Sequence, residues 1–185
     1  MSTKTKETIP LWLAIAITVL FSLPFGTLLG KYNLALWASF IAWAEYFALG
    51  AKPEALKYIW ILFPLGAFWM AMFATFVALV PIGGTLTTVA VWIFVWVAVA
   101  AFVMRFHPMF QKGSLPYFNG LSMYLALYFG LYANGANIGA GQGPIVGNPV
   151  VDAWILFVWA SLAGIFGGFL GWFNIAITFP RPVKE

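Results

Sequence analysis

Cysteine is absent from the 185-residue chain, and histidine occurs once, at His107. Without cysteine there is no disulfide, no thiolate nucleophile and no cysteine metal site. One histidine leaves no multi-histidine metal or haem site within a single chain, so neither a metal nor another cofactor is expected. Charge is scarce as well. Charged residues make up 8% of the chain, against about 25% in a soluble domain. So few charges cannot cover a water-facing surface, and the natural solvent of such a chain is lipid. No nucleotide-binding motif is present, which argues against primary active transport by this chain alone.

What is abundant is apolar sequence, 63% of the residues, with ten tryptophans and nineteen phenylalanines. It falls into six segments, roughly 10–30, 34–51, 58–80, 85–104, 116–133 and 151–177. Most meet or approach the ~20 residues needed to cross a ~30 Å hydrocarbon core at 1.5 Å per residue; the second and fifth are short, at about 18. The fold class expected is all-α, a polytopic membrane protein of six transmembrane helices in one transmembrane domain. The run from Pro10 to Gly30 is too long for a signal-peptide core and is read as a retained helix. The net charge of +4 does not point to nucleic acid, because the basic residues sit at segment ends, where topology signals are placed. With the N-terminus inside, the cytoplasmic segments hold Lys4, Lys6, Lys52, Lys57, Arg105, Lys112, Arg181 and Lys184, and the outer segments only Lys31. That bias places both termini in the cytoplasm.

The chain also echoes itself. Tyr46-Phe47-Ala48-Leu49-Gly50-Ala51 resembles Tyr128-Phe129-Gly130-Leu131-Tyr132-Ala133, and Trp60-Ile61-Leu62-Phe63 recurs as Trp154-Ile155-Leu156-Phe157. Two matches in the same order suggest two three-helix units, about 10–80 and 85–177. An odd number of spans per unit makes the two inverted, the architecture of many small transporters.

Four features carry candidate chemistry. Glu45 is the one ionisable residue read as well inside a span, about 9 Å from its cytoplasmic end. An acid at that depth must be paired, protonated or wet. The small residues Ala38, Ala42 and Ala48 around it favour close helix approach, and Lys52 is an alternative partner at the interface. The fifth segment carries Tyr117, Tyr124, Tyr128 and Tyr132 on one stripe, with Asn119 and Ser122 adding polarity. Tyr117 and Tyr132 suit interface anchors, while Tyr124 and Tyr128 suit either a polar pathway or helix–helix hydrogen bonds. The stretch from Asn134 to Pro144 is rich in glycine and asparagine, a mouth, a lid or a plain connection. Gly164, Gly167, Gly168 and Gly171 form two overlapping G-x-x-x-G pairs, a helix-packing signal within or between subunits. Pro24 with Gly26, and Pro64, should bend their helices.

The run Trp37-Ala38-Ser39-Phe40-Ile41-Ala42-Trp43-Ala44-Glu45-Tyr46-Phe47-Ala48-Leu49-Gly50, with Pro116-Tyr117-Phe118-Asn119-Gly120 later, resembles the YcdZ-type family of small bacterial inner-membrane proteins with a domain of unknown function. The likeness covers roughly residues 34–175. It implies a bacterial inner-membrane location and supplies no substrate. Members are usually shorter at 134–150, so that stretch departs from the pattern. The expected function is a channel or facilitator for a small polar or neutral solute. The rival is a structural or accessory subunit of a membrane complex. The expected surroundings are the lipid bilayer and either further copies of the chain or a membrane-complex partner. An intramembrane enzyme is the weakest option, since one histidine, no cysteine and one buried acid make no triad or metal set.

Overall fold

The structure is a computed structural model and describes residues 5–28, 36–131 and 145–182. Tyr132, Lys31 and the 134–144 stretch lie outside them. Six α-helices are present among the described residues: α1 (Leu11–Thr27), α2 (Leu36–Ala48), α3 (Glu54–Leu79), α4 (Thr85–Val103), α5 (Met109–Ala126) and α6 (Pro149–Ala176). A 3-10 turn, Met104–Phe106, extends α4, and five residues of π-helical geometry, Leu127–Leu131, extend α5. Three helices are long and apolar enough to cross a membrane: α3, α4 with its extension, and α6. At 17 residues α1 is apolar but shorter.

Ring and glycine contacts fix the direction of each helix. Phe21 meets Phe173 at 4.9 Å and Phe25 meets Phe166 at 4.7 Å, so α1 runs antiparallel to α6. Gly167 lies against the Ser39 carbonyl and Gly171 against the Tyr46 ring, which makes α2 parallel to α6. Gly168 meets Ile59 and Trp60, Gly164 meets Phe63, and Phe68 meets Trp154, so α3 opposes α6. Trp92 packs on Phe76 and Trp96 on Trp69, turning α4 back along α3. Gly113 against Tyr58, Gly66 against the Tyr117 carbonyl and Phe73 against Tyr128 set α5 parallel to α3. Consecutive helices therefore alternate in direction through the whole chain. The two ends meet on one face, where β1 (Thr5–Lys6) pairs antiparallel with β2 (Arg181–Pro182), and the amides of Thr8 and Ile9 donate to the Thr178 carbonyl.

At the centre α3 crosses α6. The broad contacts flank that crossing, α5 on α3 and α2 on α6, while α4 leans on α3 and α1 on α6. These principal contacts are unchanged when α1–α3 are exchanged with α4–α6. The space between α3, α5 and α6 is filled by Met70, Phe73, Tyr124, Leu127 and Leu156. Outer helices bury little: α4 buries Thr88 and Ala100, α1 the small stripe Ala14, Thr18 and Ser22. Leu86 and Phe94 on α4 stand more than 70% exposed, a surface suited to lipid.

Two helix starts differ from the apolar reading. α3 begins at Glu54, directly after Pro53, four residues before the apolar run, because proline pre-sets the first turn and an acid suits a helix N-terminus. α5 begins at Met109 rather than 116. It passes through Pro116 because Gly113 (φ −104°, ψ 17°) breaks the regular ladder where that proline removes a donor. Pro24 and Pro64 sit inside unbroken α1 and α3.

Candidate functional site

Glu45 sits on α2, on the side turned toward α5, and is 2% exposed. Its partner is Asn119 of α5, whose Nδ2 donates to Oε1 over 2.6 Å. Lys52, the partner considered at the interface, is not what this carboxylate meets. The other oxygen, Oε2, is buried with no hydrogen-bond partner among the described residues. Both members lie seven residues from a lysine, Glu45 from Lys52 and Asn119 from Lys112. The pair is level across the α2–α5 seam, Asn119 about 10 Å along α5 from Lys112 and Glu45 three residues, about 4.5 Å, before the end of α2 at Ala48. Of the small residues around the acid, Ala38 and Ala42 are buried as expected, whereas Ala48 is exposed. Behind the pair, Gly120 presses on the backbone of Phe63, so α3 closes the inner side of the seam.

The seam is less closed on the other side. Asn119 is half-buried, and Ser122, one turn on, is exposed with its hydroxyl donating to the Phe118 carbonyl over 3.0 Å. The Asn119 amide keeps a carbonyl and an N–H without a partner among the described residues, while the unpartnered Oε2 of Glu45 is enclosed within the bundle.

The tyrosine stripe goes elsewhere. Tyr117 is fully buried and donates to the Ala100 carbonyl of α4 at 2.8 Å. It is no interface anchor, because α5 begins seven residues earlier than its apolar run and carries Tyr117 into the bundle. Tyr124 donates to the Ala153 carbonyl of α6 at 2.9 Å, and Tyr128 stacks on it with centroids 6.2 Å apart. Glu45, Asn119 and Ser122 come together on the α2–α5 seam; Tyr124 and Tyr128 face α6 and α3. The four glycines serve two neighbours within one chain, Gly164 and Gly168 approaching α3 and Gly167 and Gly171 approaching α2.

Two buried polar residues escape a reading by hydropathy. Asp152, 2% exposed in the first turn of α6, accepts from the amides of Ile145 and Val146, while Asn148 caps the helix through Val150 and Val151. The string Asn148-Pro149 followed by an acid signals that start. Asn174 is fully buried with neither side-chain polar atom partnered among the described residues. It continues the face of Gly167 and Gly171 at helical spacing, the one signal that could have found it. Among the described residues no group of three acids or histidines could hold a metal ion.

A family model described as "Protein of unknown function (DUF1097)" matches residues 8–178. The chain belongs to that family. The match takes in all six helices, so the bundle and the α2–α5 seam both lie within the family's domain. Neither a curated protein nor a solved structure matches the chain.

Proposed function

We propose that this chain is a channel or facilitator for small polar or neutral solutes, spanning the bacterial inner membrane six times with both ends in the cytoplasm. The single observation that carries it is the Glu45–Asn119 pair. Unlike Asp152, which caps its own helix start, Glu45 bonds across to another helix, keeps one oxygen unpaired and has a half-buried amide beside it, and an acid held this way among apolar helices is how a polar path is marked in lipid. The alternating helix directions and the paired chain ends support the six spans, and the basic residues support the orientation. The finer likeness to YcdZ-type members belongs to this reading and rests on the runs at 37–50 and 116–120.

In the same reading the bundle is two inverted three-helix units. Its support is a pair of like approaches: Gly66 of α3 against the Tyr117 carbonyl of α5, and Gly167 of α6 against the Ser39 carbonyl of α2. These equate Gly66 with Gly167 and Tyr117 with Ser39, about two turns along α6 and one along α5 from the register of the repeated strings. The helix crossings, and not the strings, carry the support. Under that register Glu45 has Met123 as its counterpart, so the site itself is asymmetric.

Flux through liposomes tests the function. Glu45→Gln keeps shape and hydrogen bonding and removes the charge. Solute flux is expected to change while stability shifts by less than about 1 kcal/mol. If Glu45 is a structural group only, flux per folded protein stays the same and stability falls by roughly 1–3 kcal/mol. Wild-type flux no greater than that of protein-free liposomes, over urea, ammonia, short amides, small alcohols and monovalent ions, would overturn the reading. The accessory-subunit reading then takes its place, favoured by the filled space between α3, α5 and α6.

A further inference from the structure

The outer faces of this bundle differ in kind. Past its first turn, where Thr85 and Thr87 are exposed, α4 exposes only apolar side chains, Val91, Phe94, Val97 and Phe102 among them, a surface at home in lipid. On the α2–α5 seam exposed apolar groups, Ile41, Leu115 and Phe118, rim a polar centre made by Asn119 and Ser122 in front of Glu45. Polar groups at this depth face protein or water rather than acyl chains. The described chain puts nothing in front of them.

We propose that a second copy of this chain covers the α2–α5 seam, the two related by a twofold axis along the membrane normal, so that Asn119 and Ser122 of each copy face those of the other in front of the enclosed Glu45 carboxylates. The inference rests on the reading above that α2 and α5 cross the membrane. The chemistry selects a like partner. A carboxamide carries a donor and an acceptor side by side, so it is complementary to its own twofold image. One Asn119 N–H is committed to Glu45; its second N–H and its carbonyl oxygen have no partner among the described residues and suit the same two groups of the facing copy. The Ser122 hydroxyl spends its proton on Phe118 and keeps acceptor capacity outward. An isologous interface is built from one patch used twice, and this patch meets that requirement. A single buried asparagine selecting its own image across a helix seam has precedent in coiled coils. The facilitator's path would then lie between two copies, lined by Asn119 and Ser122 of each, with one Glu45 behind each face.

The absence of cysteine makes the test direct. Ser122→Cys and Leu115→Cys each place one thiol on the exposed seam, and Phe94→Cys places one on the α4 face as a control. Copper-catalysed oxidation in native membranes is expected to give disulfide-linked dimers from at least one seam variant and none from the α4 variant. Asn119→Leu, combined with the cross-linking seam variant, is expected to lower the dimer yield roughly tenfold, the scale of about 1.4 kcal/mol in association. Monomeric products from both seam variants, or dimers from the α4 variant alone, would overturn the proposal, as would a one-chain mass for the wild type in nanodiscs. Cross-linking does not depend on transport. A dimer without flux removes the facilitator and leaves the interface standing, and flux from a single chain does the reverse.

Discussion

Tyr124 is fully buried, and its hydroxyl reaches across to a main-chain carbonyl of α6. Tyr124→Phe deletes that bond without changing the packed volume. The expected loss is about 0.5–1.5 kcal/mol, read as a lower thermal unfolding midpoint in detergent. The facilitator reading adds that Tyr124→Phe or Tyr128→Phe alters flux; unchanged flux in both would confine the stripe to holding α5 against its neighbours. At this scale Glu45 was legible because an acid in an apolar run stands out by cost alone. Its pairing with Asn119 was not. Hydropathy and periodicity give the face of one helix, and which helix lies opposite depends on the crossing of α2 and α5 over α3. The same limit hid Asn174, whose neighbours come from the packing of α6 and not from its own sequence.

Glycine governs the scale of helices. A Cβ added at Gly66 would land on the Tyr117 carbonyl, and one added at Gly120 on the Phe63 carbonyl. Each is backbone against backbone, with no flexible side chain to give way. Gly66→Ala and Gly120→Ala are therefore expected to lose roughly 1–3 kcal/mol by pushing α3 and α5 apart. Gly130→Ala, whose Cβ meets nothing within 4 Å, is the control and should stay close to wild type. Equal unfolding midpoints for all three would contradict the close approach. The six helices were readable from apolar run length, and the ends of α4 and α6 lie close to their runs. Starts were harder. α3 and α5 begin in polar sequence, where proline, an acidic first turn and the Gly113 kink decide the boundary, and none of these is hydrophobic. The glycine ridge of α6 was recognisable as a contact surface, but the spacing of 164, 167, 168 and 171 could not assign two pairs to two different neighbours.

For the whole molecule, alternating helices place the turns between α2 and α3 and between α4 and α5 on the face that holds both chain ends. The turn between α3 and α4 lies on the far face, pinned by Thr88, whose hydroxyl accepts from the Ile82 amide at 2.8 Å. Single cysteines at Glu54 and Gln111 are expected to label from the cytoplasm, and one at Gly84 from outside. Reversed labelling at either face would overturn the orientation, and labelling of all three from one side would overturn the six spans. The pairing of Thr5–Lys6 with Arg181–Pro182 has a consequence for how the chain can be ordered. With residues 5–6 already paired to 181–182, the described chain is close to a ring. A short linker between residues 182 and 5, with a new opening at Pro53, would give a circular permutant that starts with α3 and finishes with α2. Every helix would keep its direction, and both new ends would stay on the face of the old ones. The order in which helices enter the membrane would change while the contacts of the finished bundle would not, so such a permutant separates what insertion requires from what the folded state requires.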